Sequence, residues 1–419
     1  MVPVFLTRGF FLAPSYRRTR PASRTVVLSL VNFSLLLLAL ACRTESDSQS
    51  LRPRQLRDVP ANKLAFNFQA DVETPPGLAS SEETKAIAAI QQDFDTNRKD
   101  DALLRTVASP DGQRALALYG TADSPGATFR IDLYSADGNF IRNVTPPTLA
   151  VVFQDSVIWS PDGTTIAFVG RRSAEPQASP TPPGLEPEPL LPSASPTQVP
   201  SITPTFAPLQ VFSTEQIYVC DRDGYALKPL TTRDGLIYFS LAWAPDSHAL
   251  VALACKESEW DAREKEFQSP AGRPRLISLI GEERLLDDQL AQAPPVWSPD
   301  SSKVATAFGV DVGIYDAANK SPTQARIALR EQLLTASASF DEKSAGRKSS
   351  SNQNNKPTPT PTPAYSLPVS FNPVVRLEWT APEKLYVETA YVTLRSELIK
   401  TFSRWHLLTL SPQGAVLKR

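Results

Sequence analysis

Trp159-Ser160-Pro161-Asp162-Gly163 is followed two residues on by the apolar run Ile166-Ala167-Phe168-Val169, and the phrase recurs along the chain. Its relatives are Ala108-Ser109-Pro110-Asp111-Gly112, Trp243-Ala244-Pro245-Asp246-Ser247 and Trp297-Ser298-Pro299-Asp300-Ser301, with a worn fifth copy at Trp379-Thr380-Ala381-Pro382. Ser, Pro, Asp and Gly in this order suit a type I turn. Ser or Asp bonds nearby backbone, Pro presets φ at the second position, and Gly closes the turn without strain. The apolar run is then the outgoing strand, as again in Leu250-Val251-Ala252-Leu253. Four of the six Trp residues occupy the slot before the turn, where a broad ring can pack on a neighbouring repeat. Isolated hairpin turns carry the same chemistry, so it is the repetition that speaks for an array.

The intervals between copies are about 51, 84, 54 and 82 residues, against roughly 40 to 50 for a propeller repeat. The two long intervals each hold a Pro-rich segment, about 173–208 and about 342–368. Removing them leaves about 48 and 53 residues, which restores the period. A third strand follows in the repeats, at Phe129 to Tyr134, Gln216 to Asp221 and Val312 to Asp316, and turns such as Ala136-Asp137-Gly138 and Arg222-Asp223-Gly224 lead to a short fourth. Four antiparallel strands per repeat make a propeller blade.

At Trp159-Ser160-Pro161-Asp162-Gly163, Ile217-Tyr218-Val219-Cys220-Asp221-Arg222-Asp223-Gly224 and Leu230-Thr231 the chain resembles the TolB-type, WD-repeat-like β-propellers. The resemblance covers about Leu103 to the C-terminus and implies an all-β propeller. Members of that family often have six or more blades. Five blades are visible here and a sixth stays open; the first copy lacks the Trp and the fifth lacks Asp-Gly. Lys63-Leu64-Ala65-Phe66-Asn67-Phe68 is either a further strand or an extended segment on the outside. The distinction matters because an open sheet edge exposes unpaired backbone groups.

The 419 residues are 41% hydrophobic and 8% aromatic, enough for a sizeable core once the tails are set aside. Residues 1–41 read as an export signal: Arg17-Arg18-Thr19-Arg20 and Arg24 precede an apolar run from Thr25 to Ala41. Leu38-Ala39-Leu40-Ala41-Cys42 resembles the lipobox of bacterial lipoproteins, which implies lipidation of Cys42 and an exported chain anchored to a membrane of the cell envelope. The competing reading is a spanning helix with an incidental Cys. Residues 42–60 read as a tether, 61–100 as an N-terminal strand and helix, and 101–419 as the propeller.

If Cys42 carries lipid, Cys220 and Cys255 remain as a pair that is either bridged or separately buried. The chain holds 43 basic and 44 acidic residues, and no basic stripe follows the signal, so nucleic acid is not an expected partner. The expected state is a monomer. The mixed-charge run Trp260 to Glu266 reads as a solvated loop or helix face. Ser80 and Glu83 have capping-box spacing ahead of Ile87, Ile90 and Phe94, which predicts a helix from Ser80 to about Asp95 that braces the propeller or meets a partner.

Antiparallel order sends the first-to-second and third-to-fourth turns to one end of a blade. The second-to-third loops and the inter-blade connections go to the other. The Ser-Pro-Asp-Gly phrases therefore mark a tight end, and the long segments, Lys256 to Arg273 among them, mark the opposite end as the candidate binding surface. The Pro-rich segments, with Ser179-Pro180-Thr181-Pro182-Pro183 and Pro357 to Pro363, read as extended and disordered spacers, glycosylated stretches or ligands for a Pro-binding partner.

Chemistry finds little material. The two His residues, His248 and His406, fall in different repeats, and no Gly-x-Ser-x-Gly elbow is present. The repeated Asp111, Asp162, Asp246 and Asp300 are explained by the turn, and Asp221-Arg222-Asp223-Gly224 lacks the downstream ligands of a calcium loop. No cofactor, metal or catalytic residue is assigned. The expectation is a non-catalytic scaffold for an envelope protein or glycan. The alternatives are a propeller glycosidase or lyase using channel carboxylates, and a structural or sensory ectodomain of a single-pass protein.

Overall fold

The computed structural model describes residues 55–78, 87–98, 101–121, 129–172, 212–318, 320–350, 372–391 and 402–413, all within the compact unit Arg54–Arg419. The signal, Cys42, the capping-box pair Ser80 and Glu83, and the first Pro-rich segment lie outside the described residues.

These residues form an all-β, propeller-like array of five antiparallel sheets. Blade 1 comprises Asp101–Ala108, Arg114–Thr121, Arg130–Ser135 and Phe140–Asn143. In blade 2 the inner strand is split into Leu149–Val151 and Ile158–Trp159, both paired with Thr165–Arg172, which is followed by Gln216–Asp221 and Lys228–Pro229. Blade 3 is Leu236–Trp243, Ala249–Lys256, Arg273–Ser278 and Glu283–Leu285; blade 4 is Val296–Trp297, Lys303–Phe308, Asp311–Asp316 and Gln324–Ala328. Blade 5 joins the two ends of the described chain. Its first three strands are Val374–Ala381, Lys384–Tyr391 and Phe402–Pro412, and its fourth is Leu64–Val72 from the N-terminal side, with Leu64 opposite Pro412 and Phe68 opposite Leu408. The N-terminal segment thus supplies the missing outer strand and covers an otherwise open edge.

Successive residues of each second strand face opposite ways, and both faces are buried, which is why these strands read as continuous apolar runs. Ile166 and Phe168 pack toward blade 1, while Ala167 and Val169 pack toward blade 3. Leu250 and Ala252 face blade 2, and Val251 faces blade 4. Ala305 and Ala307 meet Leu385 and Val387 between blades 4 and 5. Among the described residues no apolar cluster joins blade 5 to blade 1. The free flank of blade 1, Ala115, Ala117 and Tyr119, is covered instead by helix α1 (Ala88–Asn97) through Ile87, Ile90 and Phe94. The helix stands where a sixth blade would pack.

Helix α1 carries the apolar face expected of it but does not continue unbroken from Ser80: Ile87 has extended backbone and is the N-cap, so the helix starts at Ala88, and it runs two residues past the expected end at Asp95. Its register on the blade has a steric condition. Gly138, at φ +79 in the third turn of blade 1, has no room for a Cβ, which would lie 2.4 Å from that of Ala89.

The tether expected over residues 42–60 ends sooner. Leu56–Asp58 and Ala61–Lys63 are short 3-10 turns, and Val59 and Ala61 are buried against blade 4 because both are apolar. The buried Lys303 ammonium donates to the Val59 carbonyl at 2.7 Å and to Asp316 at 2.8 Å, and Asp316 also accepts from the Ala61 amide. A second correction concerns the Pro-rich segment expected from residue 342. Helix α2 (Glu257–Lys265) precedes it in the chain, and helix α3 (Arg330–Ser350) runs into it, since Glu342 to Lys348 is rich in helix-forming Glu, Lys, Ala and Arg.

Cys220 and Cys255 are both free. Bridging is ruled out by their placement: Cys220 faces the cluster between blades 1 and 2, and Cys255 faces Ala291, Leu253 and Ile237 in blade 3. Burial pushes both thiols up to about 12, so each serves as a small apolar side chain.

Candidate binding face

The two ends of the array differ in kind. At the tight end, Ser109, Ser160 and Ser298 donate their hydroxyls to Asp111, Asp162 and Asp300 two residues on, and accept from the amide five residues on. The amides of Gly112 and Gly163 close the turns onto Ser109 and Ser160. Pro110, Pro161, Pro245 and Pro299 occupy the second position of these turns. Hydrogen bonds from Ser109 and the Gln113 amide hold the Asp111 carboxyl down at about 2. These aspartates are turn residues, as their period implied.

The turns are also stitched to each other. Ser247 and Ser301 hold φ of +63 and +59, where the earlier copies carry Gly112 and Gly163. Their hydroxyls accept the Asp162 and Asp246 amides of the preceding repeat at 3.1 and 3.0 Å. Arg222 and Arg114 tie blade 1 to the Asp221-Arg222-Asp223-Gly224 turn of blade 2 by ion pairs with Asp111 and Asp223. The Trp slot works as the phrase suggested. Trp159 donates its indole N–H to the Val107 carbonyl of blade 1, and Trp297 to Ala242 of blade 3. Trp243 is buried likewise, though its N–H lacks a partner among the described residues. Trp379 instead donates its indole N–H to the Pro382 carbonyl of its own hairpin. His248, beside its turn, is exposed.

The opposite end carries the insertions. Helix α2 fills the second-to-third loop of blade 3. Trp260 is wedged between Phe153 of blade 2 and Phe239 of blade 3, with ring centroids 5.5 and 5.4 Å away. Glu259 accepts the Lys256 amide and both arms of Arg273, at 2.7 and 2.8 Å, and this pairing holds its carboxyl down at about 2. The helix ends in a Schellman motif: the Phe267 amide bonds Glu264 O and the Gln268 amide bonds Arg263 O. The left-handed residue of that motif is usually Gly; here it is Phe267, at φ +53 and 98% exposed. Between the helix and the loop that follows it opens a cleft of about 200 Å³ lined by Trp260, Arg263, Glu264, Gln268, Pro270 and Ala271.

Helix α3 lies in the connection between blades 4 and 5, with Leu333 in their shared core. Arg404 of blade 5 fastens it, donating to Ala336 O at 3.0 Å while forking the Asp71 carboxylate at 2.7 and 2.8 Å. Beside Arg404, His406 is 1% exposed. Its Nδ1 accepts the Asp71 amide, its Nε2 bonds Thr389, and its ring stacks on Phe68. Burial first, then the Arg404 charge, pull its pKa down to about 4, so the ring is neutral.

Sequence reasoning located the two ends. It missed Arg404 and the contacts of α1, in which Arg98 pairs with Asp132 and the Tyr134 hydroxyl donates to Asp93, because these depend on partners distant in sequence; it missed Phe267 because a left-handed residue in a Schellman motif is ordinarily Gly. Among the described residues, no three His, Cys, Asp or Glu side chains are gathered to hold a metal, and no helix is long and apolar enough to cross a membrane.

No protein-family model matches the chain. No curated protein matches it either. Solved structures that it resembles include an oligogalacturonate lyase from Vibrio parahaemolyticus, at 8% identity and a TM-score of 0.34, with 74% of this chain and 67% of that one covered. A prolyl oligopeptidase from Galerina marginata aligns at 10% identity and a TM-score of 0.38, over 89% of this chain but 46% of its own length. An aldose sugar dehydrogenase from Streptomyces coelicolor aligns at 12% identity and a TM-score of 0.32, over 84% and 100%.

Proposed function

We propose that this chain is an exported bacterial lipoprotein, anchored to an envelope membrane through Cys42, whose TolB-type propeller is a non-catalytic scaffold for an envelope protein or glycan. The observation that carries this reading is the asymmetry of the two ends. One is a closed network of turns; the other presents a braced helix, an exposed Phe267 at its end and a cleft lined by Trp260 and Pro270. Binding sites on rigid scaffolds concentrate in such loops.

Several buried charged groups hold the fold together. Asp316 is engaged by Lys303, Glu283 by Arg233 and Arg275, Asp132 by Arg98, and His406 by Thr389 and the Asp71 amide. Each link joins elements of the fold. The anchor is tested by metabolic labelling with palmitate: label is expected in the wild type and lost in Cys42→Ser, and unchanged labelling refutes the lipoprotein. Chemical crosslinking in intact cells tests the scaffold. A discrete protein adduct is expected, whereas retention and turnover of small sugars alone defeats the reading.

A further inference from the structure

We infer that the cleft between α2 and the loop after it is a subsite for one neutral pyranose unit, a sugar displayed on the envelope partner; this rests on the scaffold reading and names the ligand class of its binding face. The lining holds one cation, Arg263, one anion, Glu264, and one neutral amide, Gln268, set against apolar walls from Trp260, Pro270 and Ala271. A cationic ligand would be repelled by Arg263 and an anionic one by Glu264, so net charge of either sign gains on one side what it loses on the other. A pyranose suits both polar groups at once. Each of its hydroxyls donates one hydrogen bond and accepts others, and its ring C–H groups match the apolar walls. The volume of about 200 Å³ lies below the roughly 300 Å³ at which pockets for drug-sized ligands begin, which limits the occupant to a single small unit.

The polar groups of the lining are held by the fold while atoms of each remain open. Arg263 donates its Nε to the Ser269 carbonyl at 2.8 Å, which orients the guanidinium, and its two Nη groups have no partner among the described residues. Gln268 donates its Nε2 to Glu266 at 2.6 Å and keeps Oε1 as an acceptor. The Glu264 carboxylate is exposed and unpaired among the described residues. The Trp260 indole N–H is neither bonded among them nor buried, unlike the indoles of Trp159 and Trp297, which donate to the neighbouring blade. Its ring is wedged against Phe153 and Phe239, and the Glu259–Arg273 pair anchors the helix, so the wall is rigid. Groups fixed before binding lower the entropy cost of the hydrogen bonds they make. An extended peptide finds less here: the backbone amides of Arg263, Glu264 and Gln268 are engaged in the helix and its cap, and Pro270 has none, so there is no ladder to join.

The test is isothermal titration of the full chain in detergent with four trisaccharides. Maltotriose and triacetylchitotriose are neutral, trigalacturonate is anionic, and deacetylated chitotriose is cationic. At least one neutral sugar is expected to bind about tenfold or more tightly than both charged ones. Glu264→Ala and Gln268→Ala should each weaken it by at least about threefold, and the double variant by at least about tenfold. Both side chains are exposed, so the unfolding midpoints of these variants should match the wild type. Glu257→Ala, on the same helix but outside the lining, should bind as the wild type does. Binding of neither neutral sugar, equal binding of all four, or binding unchanged in the double variant overturns the site. Free phenylalanine bound more tightly than either neutral sugar also overturns it, by assigning the cleft to a zwitterion. Failure of the sugars with crosslinked protein adducts persisting would remove this subsite alone and leave the scaffold reading standing. The bound sugar should be recovered intact by mass spectrometry; its cleavage would instead contradict the non-catalytic scaffold and with it the inference.

Discussion

Ser247 combines a backbone conformation that suits Gly with a hydroxyl that Gly lacks. The hydroxyl accepts the Asp162 amide of the preceding blade, and Ser301 does the same for Asp246. The two effects can be separated. Ser247→Ala keeps the strain and loses the bond, so it should cost about 1 kcal/mol in urea unfolding. Ser247→Gly loses the bond but relieves the strain, so its midpoint should fall between those of the wild type and the Ala variant. A Gly variant below the Ala variant would show that the positive φ carries no penalty. His406 provides the pH counterpart. Its pKa is about 4 in the folded chain against the ordinary 6.5. The unfolded chain therefore binds more protons between those values, and stability falls as pH drops from about 6.5 toward 4, by up to roughly 1.4 kcal/mol per unit. Protonation would also remove the Nδ1 acceptor from Asp71, at the point where the closing strand and α3 meet. His406→Asn should flatten that part of the stability profile; an unchanged slope would assign it to other groups.

At the scale of elements, α1 shows what a sequence reveals of packing. The spacing of Ile87, Ile90 and Phe94 was enough to predict a helix with one apolar face, because helical periodicity is local. What that face meets was hidden. Ala115, Ala117 and Tyr119 belong to a strand whose other face, Leu116 and Leu118, looks equally apolar in sequence. Arg98, which pairs with Asp132 at 2.6 Å and lies over the Tyr119 ring, becomes visible only when strand register is known. Ile90 is fully buried, so Ile90→Ala should destabilise the fold by about 2–5 kcal/mol. Hydrogen exchange should show the loss spreading through blade 1; protection lost in α1 alone would mean that the helix is an ornament.

The N-terminal segment makes a parallel case. Leu64 to Phe68 reads as a strand, but its pairing with the last strand is a matter of topology. Burial pushes the Asp316 carboxyl upward, yet the bonds from Lys303 and Thr323 outweigh it and hold the group below its ordinary range. Lys303→Met would leave that buried carboxylate without its counter-charge, held only by the Ala61 and Thr323 donors, at a cost of about 3–5 kcal/mol. Double substitution with Asp316→Asn, which removes the charge but keeps an acceptor for the Ala61 and Thr323 donors, should recover part of the loss. Thermal unfolding of the single and double variants measures the difference.

For the whole molecule, the repeated Ser-Pro-Asp-Gly phrase made the all-β array and its two ends legible, since turn chemistry and antiparallel alternation need no tertiary information. The separation of Cys220 from Cys255 and the helix in place of a sixth blade needed the fold, because each depends on which face of a sheet a residue takes. The functional account rests on the contrast between the ends. A photo-crosslinking amino acid placed singly at Glu264 and Gln268 on the long-loop end, and at Thr164 and Gln113 on the tight end, tests it in intact cells. All four side chains reach the surface in loops or on a helix, so folding should be preserved. The account predicts discrete protein adducts from Glu264 and Gln268 and none from Thr164 and Gln113. Adducts confined to the tight end, or equal from both, would contradict it.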